Sequence, residues 1–323
     1  LSFKILRDAR TAIWSSYLLQ EYFCGPLLRK DDVLMVASNY TGALYKKIFP
    51  HLSMSSLFRC YPLTINFPKS IERKSRENES QFKIGYLGRL SKDKNFPDLI
   101  EILIALNKAR PNSYKLIACG HIHSQECQPD FINAHLAKEL GPGDYFQYLP
   151  PRDHTEVWDV YKLFDLMIFP STSNLETLGR VLVEASYAGV PVLCSRHAAG
   201  PELVPEQSLL SITYEYGRKY FAHTDHALGR ICVDEVVERI LAGQFASLTC
   251  HEEFNDHGKK FLDLLTGSNS QADIIFCKSD LHTSQLQFID SLQIVMPAIM
   301  SKSESMAELS NLLRVFIELQ SRE

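Results

Sequence analysis

The chain has 323 residues, 45% apolar and 22% charged, enough to bury substantial cores and to form about two domains. A formal net charge of −4 and the lack of a long basic run give no electrostatic ground for a nucleic-acid partner. No uninterrupted apolar run approaches the roughly 18 residues of a membrane span, and no charged-then-apolar signal segment opens the sequence. The eight cysteines are scattered without a Cys-x2-Cys pair and read as reduced thiols of a cytosolic protein.

In chain order, Ala9 to Leu28 places Ile13, Trp14, Tyr17, Leu18, Phe23, Leu27 and Leu28 at mixed three-and-four spacing. This predicts a helix with a broad apolar face, turned to the core on the first reading and to a membrane surface on the second. Asp31 to Ser38 reads as a buried strand, with Ser38 and Asn39 able to cap a helix running to Phe49. Leu57 to Leu63 is a further strand, and the polar run from Asn66 to Gln81 has the composition of an exposed linker.

From Phe82 onward the pattern alternates. Strands are expected at 82–88, 114–119, 145–149, 165–169 and 190–194, and helices near 96–109, 129–140, 153–162 and 177–188. Strand–helix alternation of this kind predicts a doubly wound parallel sheet, with ligands at the carboxyl ends of its strands. Two such ends carry chemistry. Phe82 to Gly88 is followed by Arg89 and Lys94, two cations able to stabilise charge on a leaving phosphate group; an isolated pair of this kind also fits a solvated basic loop. Phe169 to Glu202 runs from strand through the polar loop 171–174 into a helix and the next strand, with Glu176 and Glu184 eight residues apart. On one continuous helix these carboxylates lie about 80° apart around the axis and about 12 Å along it, too far to share a proton or a metal. They fit two ends of an elongated ligand, with the amides of Leu178 and Gly179 between them for an anion.

Other polar residues carry less. His121 and His123 lack a nearby carboxylate pair and make a poor zinc site. Asp153, His154 and Glu156 read as a helix start, and His197 as a surface residue. Beyond Glu202, a strand is expected at Ser208 to Thr213, a helix at Val233 to Leu241, helices near 251–266, 285–298 and 303–321, and a strand at Ala272 to Phe276.

The run Glu176-Thr-Leu-Gly-Arg-Val-Leu-Val-Glu184, with Ala-Gly-Val-Pro-Val and Gly-Pro-Glu after it, resembles the Glu-x7-Glu motif of retaining GT-B glycosyltransferases of family four, also called glycosyl transferases group 1. Arg89 and Lys94 after a strand glycine resemble that family's phosphate-binding pair, in the same order along the chain. The resemblance implies an α/β GT-B fold, two Rossmann-like domains facing a cleft. The first would be incomplete, with residues 1–78 its remaining acceptor-side part and linker, 79–245 the donor-binding domain, and 246–323 a helical extension whose last helix packs back on the first domain. It further implies that Glu176 contacts the donor sugar, Arg89, Lys94, Leu178 and Gly179 the diphosphate, and Glu184 the ribose. Gly88 and Gly120 would lie at strand ends of the site and Tyr148 near the base. Leu178 and Thr177 depart from the family, which has an aromatic and a glycine there.

Transfer of a hexosyl group from a nucleoside diphosphate sugar to a sugar or lipid-linked hydroxyl acceptor is what the resemblance implies, with retention, without metal or bound cofactor, in the cytoplasm or at the inner membrane face. A non-catalytic nucleotide-sugar-binding protein and a sugar-nucleotide epimerase are the alternatives, since fold does not fix chemistry. A dinucleotide-dependent oxidoreductase ranks last, because no Gly-x-Gly-x-x-Gly opens a strand–helix unit.

Overall fold

The computed structural model describes residues 34–48, 57–59, 71, 80–173, 176, 178–214, 227–245 and 281–291. The helix expected at 9–28, the linker apart from 71 and 80–81, and the elements expected at 251–266, 272–276 and 303–321 lie outside these residues.

A parallel pair opens the described chain: β1 (Leu34–Val36) alongside β2 (Leu57–Arg59), joined through helix α1 (Asn39–Ile48). Residues 82–210 then build a separate sheet of six strands, β3 (Phe82–Leu87), β4 (Tyr114–Cys119), β5 (Phe146–Leu149), β6 (Leu166–Phe169), β7 (Val192–Ser195) and β8 (Leu209–Leu210). Their order is β5-β4-β3-β6-β7-β8, parallel throughout. Between them run α2 (Phe96–Ala109), α3 (Pro129–Leu140), α4 (Val157–Tyr161), α5 (Arg180–Tyr187) and α6 (Gly200–Leu203). A short antiparallel pair, β9 (Ile212–Thr213) with β10 (Arg230–Ile231), follows, then α7 (Val233–Leu241) and α8 (Thr283–Ser291).

The period-two alternation of the strands sorts side chains onto two faces. Ile84, Leu116, Ala118, Leu166, Ile168 and Leu193 meet α2, α3 and α7 through Leu99, Leu103, Ile132 and Val236. Ile117, Met167, Phe169, Val192 and Cys194 meet α4 and α5 on the other face, through Tyr161, Leu182 and Ala185. Burying each large apolar side chain contributes roughly 1.5–3 kcal/mol, so helices on both faces hold the sheet. No described helix is long and apolar enough to cross a membrane.

Strand order matters for function. Counting from β3, the chain first winds through β4 and β5 to one side and then crosses to β6 on the other. The β3/β6 boundary is therefore the switch point, where loops diverge and open a crevice at the carboxyl ends.

Several local expectations shift. Helix α5 begins at Arg180 rather than 177, because Gly179 takes a left-handed conformation (φ 72°, ψ 59°) that breaks the run. Glu176 therefore lies outside the helix, and the 80° separation from Glu184 does not apply. Asp153, expected at a helix start, instead closes a turn with its carbonyl, which accepts the amides of Glu156 (2.9 Å) and Val157 (3.1 Å) ahead of α4. The strand expected over 208–213 divides into β8, paired with β7, and β9, paired with β10.

Candidate active site

The switch-point crevice is a cavity of about 350 Å³. Among the described residues it is lined from the β3 side by Gly88, Arg89 and Lys94 and from the β6 side by Glu176, Gly179 and Arg180. Gly88, Arg89, Lys94, Glu176 and Gly179 were all expected together from the sequence.

The loop after β3 is tightly built. Tyr86 donates its hydroxyl to the Arg89 carbonyl at 2.6 Å, and burial pushes that phenol's pKa well up, so it stays a donor. The Gly88 amide donates to the Cys119 carbonyl at 3.0 Å. At Gly120 (φ 147°), a Cβ would stand 1.8 Å from the Gly88 carbonyl oxygen, so only glycine lets the ends of β3 and β4 approach this closely. Tyr148 donates to the Gly120 carbonyl at 3.0 Å and so stands behind the β4 terminus.

One ion pair crosses the crevice and a second lies within the loop after β3. Lys94 Nζ lies 2.6 Å from Glu176 Oε2, and both side chains are about 15% exposed (15% and 14%). Ser171 donates to the same carboxylate oxygen at 3.1 Å. Arg89 pairs with the buried Asp93 at 2.7 Å, and Asp93 also accepts the Ser91 hydroxyl at 2.5 Å. Each cation is thus held in place by a carboxylate with a second hydrogen-bond partner, which orients its charge before any ligand arrives.

Asn95 joins the two loops. Its backbone is left-handed (φ 55°), and its amide nitrogen lies 3.0 Å from the Pro170 carbonyl, 2.9 Å from Thr172 Oγ1 and 2.9 Å from the Gly229 carbonyl. Through that side chain the β3 loop is fixed to the β6 loop and to the segment entering β10.

The remaining expected residues take other places. Leu178 packs its side chain into the core, 6% exposed, so only its backbone is left for the crevice. Glu184 is buried at 1% exposure, with Tyr161 donating to Oε2 at 2.8 Å and Arg180 Nε 3.1 Å from Oε1. It lies one helical turn below the cavity wall. His197, expected at the surface, is buried, because the segment after β7 turns inward. Its Nε2 is 3.0 Å from the Ser173 carbonyl, and burial pushes its pKa down to about 4, so the imidazole is neutral. No group of three or more metal-ligating side chains occurs among the described residues.

A second construction stands beside the crevice. Glu202 on α6 accepts the amides of Asn39 (2.8 Å) and Tyr40 (2.7 Å), the first turn of α1, with one carboxylate oxygen each. Gln285 of α8 donates to Glu202 Oε1 at 2.9 Å and to the Ala198 carbonyl at 2.7 Å. Burial pushes the Glu202 pKa up to about 7, against the lowering effect of these donors and of Arg59. Tyr40, His197, Tyr214 and Phe288 close the junction with tilted, edge-on and stacked ring contacts.

Asp93, Asn95, Arg180 and Glu202 escaped the sequence reading. The only signal was indirect: Asp93 stands four residues after Arg89, and Glu202 ends the Gly-Pro-Glu turn.

A parallel six-stranded sheet with helices on both faces and a crevice at its switch point, beside a two-stranded parallel pair joined through α1, is the arrangement of the GT-B class. The solved structures agree on the fold: WaaG, a glycosyltransferase involved in lipopolysaccharide biosynthesis, superposes with TM-score 0.53 at 16% identity, covering 74% of this chain and 64% of its own. HepE of Anabaena, in complex with UDP and glucose, gives 0.54 at 16% identity, covering 80% and 70%. Residues 68–210 match the family described as glycosyl transferases group 1. D-inositol 3-phosphate glycosyltransferase of Corynebacterium glutamicum (strain R) is 31% identical over 145 residues, 45% of this chain and 32% of that protein. The enzyme of the same name from Mycolicibacterium smegmatis is 35% identical over 123 residues, 38% and 27% of the two lengths. The chain thus spans about a third of the length of these curated relatives.

Proposed function

We propose that the crevice binds a nucleoside diphosphate sugar and that the chain transfers its hexosyl group, with retention, to a hydroxyl acceptor in polysaccharide or glycoconjugate synthesis. The observation that carries this reading is the pair of carboxylate-held cations, Arg89 and Lys94, at the switch point of a parallel sheet. As the glycosidic bond breaks, negative charge grows on the diphosphate, and preset cations in a low-dielectric crevice stabilise that charge without reorganising. Arg89 offers a planar fork to phosphate oxygens; Lys94 offers a point charge.

Glu176 holds Lys94 with one oxygen and faces the cavity, where it accepts hydrogen bonds from sugar hydroxyls. Gly179 lets phosphate approach the backbone at the start of α5. The reaction proceeds on one face of the sugar, with the leaving phosphate taking the acceptor's proton, and needs no metal. In this reading residues 79–245 are the donor domain, 1–78 belong to the acceptor side, and 246–323 form an extension. A sugar or lipid-linked acceptor enters from the side of α1, with the protein in the cytoplasm or at the inner membrane face.

Calorimetric titration with UDP, GDP and their glucose, N-acetylglucosamine, galactose and mannose conjugates tests the proposal, with Arg89→Ala as control. Binding of one nucleotide series, lost in the control, supports it and names the base. Absence of binding to a folded sample refutes it.

A further inference from the structure

We propose that His197 is a positioning residue for Glu176: its imidazole holds the Ser173 carbonyl, and through that carbonyl it fixes the turn that presents the Glu176 carboxylate to Lys94 and to the donor sugar. This rests on the donor-site reading above.

Ser173 stands three residues before Glu176, and its carbonyl is the pivot of the turn between them. It accepts the Glu176 amide at 3.0 Å and lies 3.0 Å from His197 Nε2. A carbonyl oxygen has two acceptor positions; here the turn itself uses one, and a side chain from beyond β7 uses the other. Earlier in the loop, Ser195 donates to the Ser171 carbonyl at 2.5 Å and Asn95 to Thr172 Oγ1 at 2.9 Å. The Ser173 hydroxyl reaches Asp93 only at 3.5 Å. His197 therefore extends the hold on residues 171 and 172 to the residue that closes on Glu176.

The ring is oriented for this contact. A carbonyl can only accept, so Nε2 carries the proton, and Nδ1, 3.4 Å from the Tyr214 hydroxyl, is the acceptor. Burial pushes the His197 pKa down to about 4, which keeps the ring neutral with a single N–H. Glu176 opposes that fall and Lys94 adds to it, so both members of the crevice ion pair act on the ring electrostatically. Tyr40 of α1 and Phe288 of α8 pack on the imidazole at centroid distances of 6.0 and 5.1 Å and keep it from turning. The backbone points it inward: the His197 amide donates to the Ser195 carbonyl at 2.7 Å, and Ala198 takes a left-handed φ of 49°, unfavourable for a residue with a Cβ. In this enclosed place the N–H loses its partner if the turn swings away, so ring and turn hold each other.

The test is calorimetric binding of UDP, GDP and their glucose, N-acetylglucosamine, galactose and mannose conjugates to wild type, His197→Leu, His197→Asn, His197→Gln, Glu176→Ala and the His197→Leu/Glu176→Ala double variant, with urea unfolding to show that each is folded. His197→Leu is expected to lower affinity for the bound sugar conjugate roughly fivefold, the worth of about one hydrogen bond, and affinity for its bare nucleotide by less. His197→Asn carries the same expectation if the Leu variant does not fold, because its amide ends at the place of Nδ1 and falls short of Ser173. Gln reaches the place of Nε2 with a donor and is expected to restore most of the loss. In the Glu176→Ala background, His197→Leu is expected to cost nothing further. Unchanged conjugate affinity in the Leu and Asn variants overturns the proposal. So does an equal loss for conjugate and nucleotide, the absence of rescue by Gln, or a full His197→Leu loss beside Glu176→Ala. Binding that Arg89→Ala abolishes and the His197 variants leave unaltered refutes this inference alone, whereas no nucleotide binding by wild type refutes the donor-site reading with it.

Discussion

The junction at Glu202 makes stability depend on pH in a direction opposite to that of an ordinary ion-paired carboxylate. Its pKa rises from 4.5 to about 7 because burial penalises the charged form more than the Asn39, Tyr40 and Gln285 donors and Arg59 favour it. A carboxyl raised on folding contributes stability that is fully present below pH 4.5, declines between 4.5 and 7, and is lost above 7. That interval corresponds to about 3 kcal/mol, or about 2 where residual solvent screens the group. His197, on the same junction, runs the other way. Its pKa falls to about 4 on burial, so its contribution is present above pH 6.5 and lost as the pH drops through 4. The two profiles overlap in wild type, and the Glu202→Gln variant separates them. Gln turns one amide donor toward an α1 amide, a penalty that does not vary with pH and therefore leaves the slope as the readout. Urea midpoints at half-unit steps from pH 4.5 to 8 should show wild type losing 2–3 kcal/mol relative to the variant across the window, by the linkage relation at about 1.4 kcal/mol per pH unit. Parallel profiles would refute the reasoning and place Glu202 in water rather than against α1.

Other outcomes follow from the crevice. Gly120→Ala forces a carbon to within 1.8 Å of the Gly88 carbonyl at a positive φ; the displacement and strain should cost about 3 kcal/mol or more in urea unfolding and weaken nucleotide binding together. Asn95→Ala removes the side chain that joins Pro170, Thr172 and Gly229; a loss of about 2 kcal/mol and faster amide exchange in both loops are expected, and unaltered exchange would count against the link. Lys94→Ala and Glu176→Ala should each cut glycosyl transfer at least about tenfold, a loss of about 1.4 kcal/mol in transition-state stabilisation, measured as product formed under single-turnover conditions. Wild-type transfer in both variants would remove the site from this crevice.

Much of the six-stranded sheet was legible because its information is local. Apolar-rich runs at 82–87, 114–119 and 166–169, charged only at Lys83 and Lys115 near their starts, call for burial on both faces, and glycines and polar loops mark where each strand ends. Arg89, Lys94, Glu176 and Gly179 were legible for the same reason, as charged residues or glycine at such ends. Pairings across the fold were not. That Lys94 meets Glu176 eighty-two residues away is decided by the winding that sets β3 beside β6. That Arg180 covers Glu184 depends on where α5 begins, which one left-handed residue, Gly179, settles. The carboxylate of Glu202 found α1 across 163 residues, and His197 turned inward because α1 and α8 close over it. Periodicity and strand-end chemistry belong to neighbours in sequence, so the chain alone determined the sheet and the charged rim. Burial, pKa and partner choice depend on groups brought together only when loop-closure entropy has been overcome, and those the tertiary structure decided.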